Sequence, residues 1–105
     1  MNDFNFYTKV KATVQEILPN ASILLFGSRA KDNYHKDSDY DLLIVSEVPI
    51  SKKEKLDYES KIDKALVWAL DKPFDIILST KKEFEKYKDS KGHIIYYTLK
   101  NAITL

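Results

Sequence analysis

The chain has 105 residues, of which 44% are hydrophobic and 31% charged, and its formal net charge is +1. This size and composition predict one folded domain over residues 1–105, with no sign of a second domain or of a disordered tail. The small net charge gives no argument for a nucleic-acid or membrane partner, and the absence of cysteine excludes disulfides and thiolate metal sites.

Apolar residues recur at helical spacing near the N-terminus, and short continuous apolar runs further along the chain are typical of buried strands. None of these segments has the length of a signal peptide or membrane span, so we expect a cytoplasmic protein. In chain order the pattern predicts a helix over 5–18, strands over 22–26 and 41–45, a helix over about 52–70, a strand over 74–78, and helices over about 81–88 and 94–105.

Two helix starts are predicted with more detail. Ser51 with Glu54, and Thr80 with Glu83, have the spacing of a capping box, in which side chain and backbone at the helix start bind each other. The first of these helices should bury five residues, Tyr58, Ile62, Ala65, Leu66 and Ala69. The element order predicts an α/β (α+β) fold, a small mixed sheet with helices mainly on one face.

Three aspartates lie on the predicted strands. Asp39 and Asp41 are two residues apart at the start of a strand, so the pleat directs both to one face, and Asp75 on the next strand could add a third carboxylate. Carboxylates suit a hard divalent ion such as Mg²⁺, and three of them would suit two ions. Alone, an Asp-x-Asp pair is more often a solvated turn and a strand start.

Gly27 and Ser28 follow a predicted buried strand directly. Glycine lets the backbone approach a ligand closely, and the following amides and hydroxyl can donate hydrogen bonds to phosphate oxygens. A Gly-Ser pair is also common in plain turns.

Together these residues form a recognisable pattern. Gly27-Ser28, ten further residues and then Asp39-Tyr40-Asp41, within FGSRA and DSDYDLLIV, resemble the signature of the polymerase-β-type nucleotidyltransferase superfamily, in particular its minimal, MNT-type branch. The resemblance implies that the Gly-Ser turn holds a nucleoside triphosphate and that Asp39 and Asp41 bind Mg²⁺. Asp75, in PFDIIL, matches the position of the third carboxylate.

The residues after the turn partly depart from the family pattern. Lys31 keeps a basic residue at the family's position, whereas Asp32 replaces a glycine, and we expect its side chain to face solvent. Arg29 could also balance phosphate charge, but a solvated cation is the simpler interpretation.

The remaining polar and aromatic residues give weaker signals. His35 and His93 have no second imidazole at ligand spacing, so surface positions are expected. The seven tyrosines, Tyr34 among them, could stack on the bases of single-stranded RNA. They are dispersed along the chain, however, which argues against a single RNA-binding groove. Other aromatic residues are interpreted as core or protein-interface residues, namely Trp68, Tyr96 and Tyr97.

The resemblance also implies a biological role. Minimal nucleotidyltransferases resemble the antitoxin of two-component, type VII-like systems whose toxin is a helical HEPN ribonuclease. The leading hypothesis is therefore an antitoxin that uses ATP and two Mg²⁺ ions to transfer AMP to a tyrosine hydroxyl of its HEPN toxin, with which it would form a hetero-oligomer. One alternative is a binding antitoxin without catalysis, and another is an enzyme that modifies a small compound such as an antibiotic.

Overall fold

The chain forms four helices and four strands in the computed structural model, which describes residues 3–31 and 38–105. In chain order they are α1 (Asp3–Ile17), β1 (Ser22–Phe26), β2 (Tyr40–Ser46), α2 (Lys52–Leu70), β3 (Phe74–Thr80), α3 (Lys81–Tyr87), α4 (Ile94–Thr98) and β4 (Ile103–Thr104). Within the described residues, no helix is long and apolar enough to cross a membrane.

The four strands form one mixed sheet in the order β3-β2-β1-β4. β1 is antiparallel to both of its neighbours, whereas β2 and β3 are parallel. A parallel pair needs a crossover connection, and α2 provides it between β2 and β3. The predicted fold class, a small mixed sheet with helices, is confirmed.

The main hydrophobic core lies between the sheet and the two long helices, α1 and α2. Every second residue of a strand faces the same side, so Leu42 and Ile44 of β2 face this core. The predicted apolar stripe of α1 is confirmed, because Val10 and Val14 are fully buried there. On the other face of the sheet, Leu43 is buried as well, and the short helices α3 and α4 pack on that side.

Both predicted capping boxes are present. The Ser51 hydroxyl accepts a hydrogen bond from the Glu54 amide at 3.1 Å, and the Glu54 carboxylate accepts one from the Ser51 amide at 3.1 Å. Thr80 and Glu83 form the same pair of bonds at the start of α3. Lys55 of α2 lies 3.3 Å from the Glu83 carboxylate, so the second box also connects α3 to α2.

These contacts set the pKa of Glu83. Partial burial raises this pKa, but the Thr80 amide and the Lys55 ammonium favour the charged carboxylate, so the pKa is lowered overall. Glu83 therefore stabilises the fold in its ionised form.

The C-terminal helix predicted over 94–105 is wrong beyond Thr98. Asn101 has a φ of 63°, a left-handed conformation that reverses the chain, and the β-branched Ile103 and Thr104 then pair with β1 as the edge strand β4. The exposed edge of β1 provided backbone partners that no pattern within the segment 94–105 could reveal.

One burial prediction on α2 is wrong, because Ala69 is exposed. Trp68 is 90% exposed, which excludes a core position for it, and its predicted alternative as a protein-interface residue stays a prediction. The helix buries Ile62 and Leu66 completely, whereas Tyr58 and Ala65 are half-buried, so the apolar stripe is narrower than predicted.

Candidate active site

Gly27 ends β1 and opens a tight turn. Its φ of 74° belongs to the left-handed region that favours glycine, and its carbonyl accepts a hydrogen bond from the Ala30 amide at 3.1 Å. The Ser28 carbonyl accepts one from the Lys31 amide at 3.2 Å, so the chain makes a helical turn directly after the strand.

The backbone of Gly27 touches the side chain of Asp41. A β-carbon added at Gly27 would overlap the Asp41 Oδ2 atom and would lie 3.0 Å from its Cγ. No larger residue fits there without moving the carboxylate. The Gly-Ser turn and the strand aspartate, which are 14 residues apart in sequence, are thus parts of one site.

Strand pairing brings the aspartates together. Asp41 is opposite Phe26 of the antiparallel neighbour β1 and beside Asp75 of the parallel neighbour β3. Residues paired in this way face the same side of a sheet, so Asp41 and Asp75 share the face opposite the main core. Asp39 lies immediately before β2, and both it and Asp75 are exposed, whereas Asp41 is half-buried.

The electrostatics of Asp41 agree with this arrangement. Burial raises the pKa of its carboxyl group, and the negative charges of Asp75 and Asp39 raise it further. All three carboxylates therefore act on one region of space, and a cation placed there would relieve their repulsion.

The three carboxylates are near one another without forming a closed metal site. Among residues 3–31 and 38–105, no three acidic or imidazole side chains are gathered at the spacing of ligands to a single ion. Mg²⁺ usually takes only one or two protein carboxylates and completes its shell with water and phosphate. The oxygen donors and their mutual repulsion fit such an ion.

Arg29 has a structural role that the sequence did not reveal. Its Nε and Nη2 atoms donate hydrogen bonds to the Ser38 carbonyl at 3.3 and 3.0 Å, and its guanidinium lies 4.2 Å from the centre of the Tyr40 ring. The expectation of a solvated cation is therefore wrong. Through these contacts, Arg29 connects the turn after Gly27 to the segment that carries Asp39.

Tyr40, between Asp39 and Asp41, holds the start of β2 on the core side of the sheet. Its ring lies 4.7 Å from that of Phe6 on α1 and 5.5 Å from that of Phe74 on β3. Since alternate residues of a strand face opposite sides, packing Tyr40 against the core directs Asp41 to the opposite face. An aromatic residue between two aspartates was the available signal for this role.

The other predicted site residues have different outcomes. Lys31 is exposed at the end of the turn, near Gly27. His93 is half-buried rather than a surface residue, because its Nδ1 accepts a hydrogen bond from the Ile95 amide at 3.1 Å and its ring stacks on Tyr87 at 3.9 Å. The predictions for three residues, Asp32, Tyr34 and His35, lie outside the described residues.

The mixed sheet brings a Gly-Ser turn against a strand carboxylate, an arrangement that suits a protein acting on phosphate-containing groups. The sequence agrees, because the profile of the nucleotidyltransferase domain family matches residues 8–102. The chain belongs to this family of enzymes. A comparison with curated proteins gives no match.

Solved structures of toxin–antitoxin chains share the fold of this chain at low sequence identity. A chain of the toxin–antitoxin MntA–HpeT with a tyrosine-to-alanine substitution has a TM-score of 0.62 at 19% identity, covering 100% of this chain and 72% of that chain. The same complex with two aspartate-to-glutamate substitutions gives 0.61 at 16%, with coverage of 92% and 69%. A toxin–antitoxin with AMP-PNP gives 0.54 at 22%, with coverage of 68% and 55%, so the present chain spans little more than half of that relative.

Proposed function

We propose that the protein is a Mg²⁺-dependent adenylyltransferase that transfers AMP from ATP to a hydroxyl group of a partner protein. The observation that carries the proposal is the contact between Gly27 and Asp41, because it joins a phosphate-binding turn to a carboxylate in one site. Asp75 lies on the adjacent strand at the same level. Phosphate-binding groups and metal-binding groups are thus within reach of one substrate.

The residues of the site would have different binding roles. The Ser28 hydroxyl and the amides of the turn would bind the triphosphate, and Asp39 and Asp41 would hold Mg²⁺, with Asp75 helping to hold a second ion. The metal supplies charge stabilisation for the phosphate oxygens and orients the triphosphate. Lys31, exposed after the turn, would add positive charge near the phosphates.

The reaction would be a displacement at the α-phosphorus of ATP. The acceptor oxygen forms a bond to this phosphorus while the bond between the phosphorus and the bridging oxygen of the leaving group breaks, which releases pyrophosphate. The Asp75 carboxylate would take the proton of the acceptor hydroxyl, because it is exposed on the same face as Asp41 and can approach an acceptor from solvent.

The proposed acceptor is a tyrosine hydroxyl of a HEPN toxin. Support comes from the resemblance of the motif to minimal nucleotidyltransferases and from a fold shared with chains of toxin–antitoxin complexes, one of which contains AMP-PNP. The protein would then act in the cytoplasm as the antitoxin of a type VII-like pair.

The test combines the protein with a candidate HEPN-like partner, ATP and Mg²⁺, and measures the intact mass of that partner. We expect a mass increase of one or more AMP groups on a partner tyrosine. The Asp39→Ala/Asp41→Ala variant should abolish this increase and the neutralisation of toxicity in cells. Asp57→Ala, which removes an exposed carboxylate on α2, should leave both unchanged.

A second role gives a different result. If the double variant still neutralised the toxin and no AMP were found on it, the protein would act by binding alone. The catalytic proposal would then be wrong, although the nucleotidyltransferase fold would stand.

A further inference from the structure

A cleft of about 210 Å³ opens beside the Gly27 turn, on the sheet face that carries Asp41. One wall is the end of β1 with its turn, and the other wall is α4 with the residues that follow it. Phe26, Gly27 and Lys31 line the first wall, and Ile94, Tyr97, Thr98 and Lys100 line the second.

The α4 wall is fixed in place by contacts on both sides. After α4 the chain returns as β4, which pairs with β1, and the Leu105 amide donates a hydrogen bond to the Ile23 carbonyl at 2.9 Å. Within α4, the Tyr97 ring packs edge-on against Tyr96 with 5.5 Å between ring centres. Tyr97 is nevertheless 54% exposed, so one part of its ring is held and another part is free to bind.

The lining favours a flat aromatic ring over a phosphate. Phe26, Ile94 and Tyr97 would deprive a phosphate of water without replacing its hydrogen bonds, which is costly. A nucleobase has a π-face that stacks on aromatic side chains. The volume is below the roughly 300–1,000 Å³ of pockets that enclose a whole drug-sized ligand, so the cleft suits one ring system. Lys31 and Lys100 make it attractive to an anionic molecule.

The order of the strands places the cleft on the side of Asp41 where the nucleotide, and not the acceptor, would bind. It lies at β1, next to the phosphate-binding turn, whereas Asp75 lies on β3, with β2 between them. Neighbouring strands are about 4.8 Å apart, so the cleft and Asp75 are separated by about 10 Å across the sheet. An acceptor that gives its proton to Asp75 would approach from the far side of Asp41.

We infer that this cleft binds the base of the nucleoside triphosphate, with Tyr97 as the stacking residue. The inference rests on the proposed function and adds the residues that hold the nucleoside. Tyr97 contributes binding energy through its ring, and its hydroxyl is not needed for this. The nucleoside would lie between α4 and the turn, and the phosphates would extend over Ser28 towards Asp41.

The test compares two ligands that share the phosphates and differ in the nucleoside. Calorimetry in the presence of Mg²⁺ measures the Kd of ATP and of inorganic tripolyphosphate for each protein. Base stacking is worth about 1–3 kcal/mol, so Tyr97→Ala should raise the Kd of ATP by at least about fivefold. It should leave the Kd of tripolyphosphate unchanged, and Tyr97→Phe should bind ATP like the wild type.

Trp68→Ala is the matched control, because Trp68 is an aromatic residue that is 90% exposed on α2, outside the cleft. It should bind both ligands like the wild type. Thermal unfolding of each variant verifies that the fold is intact, which is expected because the Tyr97 and Trp68 side chains are both more than half exposed.

The outcomes separate the two levels of the proposal. A wild type that binds neither ligand would contradict the proposed function and the base cleft together. A wild type that binds ATP, with an unchanged Kd in Tyr97→Ala or an equal loss for tripolyphosphate, would contradict the cleft alone. If Tyr97→Ala kept its ATP affinity but raised the KM for the protein acceptor, the cleft would belong to the acceptor and the inference would be wrong.

Discussion

Replacing Gly27 by alanine should cost more stability than the same change at Gly92. Both residues have positive φ, 74° and 95°, which strains an L-residue by about 1–2 kcal/mol. At Gly92 a new β-carbon meets nothing within 4 Å. At Gly27 it overlaps the Asp41 carboxylate, which must leave its rotamer at a further cost of about 0.5–1.5 kcal/mol. We therefore expect Gly27→Ala to be about 1 kcal/mol more destabilising than Gly92→Ala.

Urea unfolding of the nucleotide-free protein measures both changes, and a double-mutant cycle with Asp41→Ala isolates the contact. Once the carboxylate is absent, Gly27→Ala should cost about as much as Gly92→Ala. The displaced carboxylate should also weaken binding of ATP with Mg²⁺ in Gly27→Ala but not in Gly92→Ala. Equal costs of Gly27→Ala in the wild-type and Asp41→Ala backgrounds would refute the reasoning.

Three further predictions concern single side chains. Asp41→Asn should increase the free energy of unfolding at neutral pH without ligand, because burial and the neighbouring aspartates raise the pKa of the folded carboxyl. This gain should vanish as the pH falls below the ordinary pKa of 3.8. Urea unfolding at several pH values measures both effects. Glu83→Gln should decrease the free energy of unfolding at pH 7, because the pKa of Glu83 is lowered in the folded state. The stabilisation by ionised Glu83 is present above the ordinary pKa of 4.5 and is lost as the pH falls through the folded pKa. An unchanged melting temperature at pH 7 would contradict this prediction. Ser51→Ala should cost about 0.5–2 kcal/mol by removing a helix cap, measured by thermal unfolding, with the adjacent exposed Lys52→Ala as a control near zero.

Much of the fold could be predicted because its signals are local. The run SILLF predicted β1 with its observed bounds, and a Ser or Thr three residues before Glu predicted both capping boxes. The link between Gly27 and Asp41 was predictable only from the resemblance of the motif to the nucleotidyltransferase signature. The neighbouring position of Asp75 needed the register of a parallel pair, which follows from the fold and from no feature of PFDIIL itself.

Two of the missed features depend on distant parts of the chain. The segment 94–105 has an amphipathic pattern, yet its last residues become β4 because the edge of β1 is available to them. Arg29 resembles a solvated cation in sequence, and only the folded chain places the Ser38 carbonyl and the Tyr40 ring beside it. Such contacts join positions about ten or more residues apart, beyond the reach of local patterns.

The position of Asp41 connects the stability of the fold with its chemistry. Burial and two neighbouring carboxylates oppose its charge, so the ligand-free fold is strained electrostatically at this one side chain. Gly27 has no β-carbon and therefore leaves room for the Asp41 carboxylate. Tyr40 packs against Phe6 on the core side of the sheet, so the adjacent Asp41 faces the opposite side. A bound divalent cation would remove the repulsion, and binding to the folded state alone would stabilise that state. Substitutions that relieve the strain should therefore stabilise the ligand-free protein and weaken nucleotide binding together.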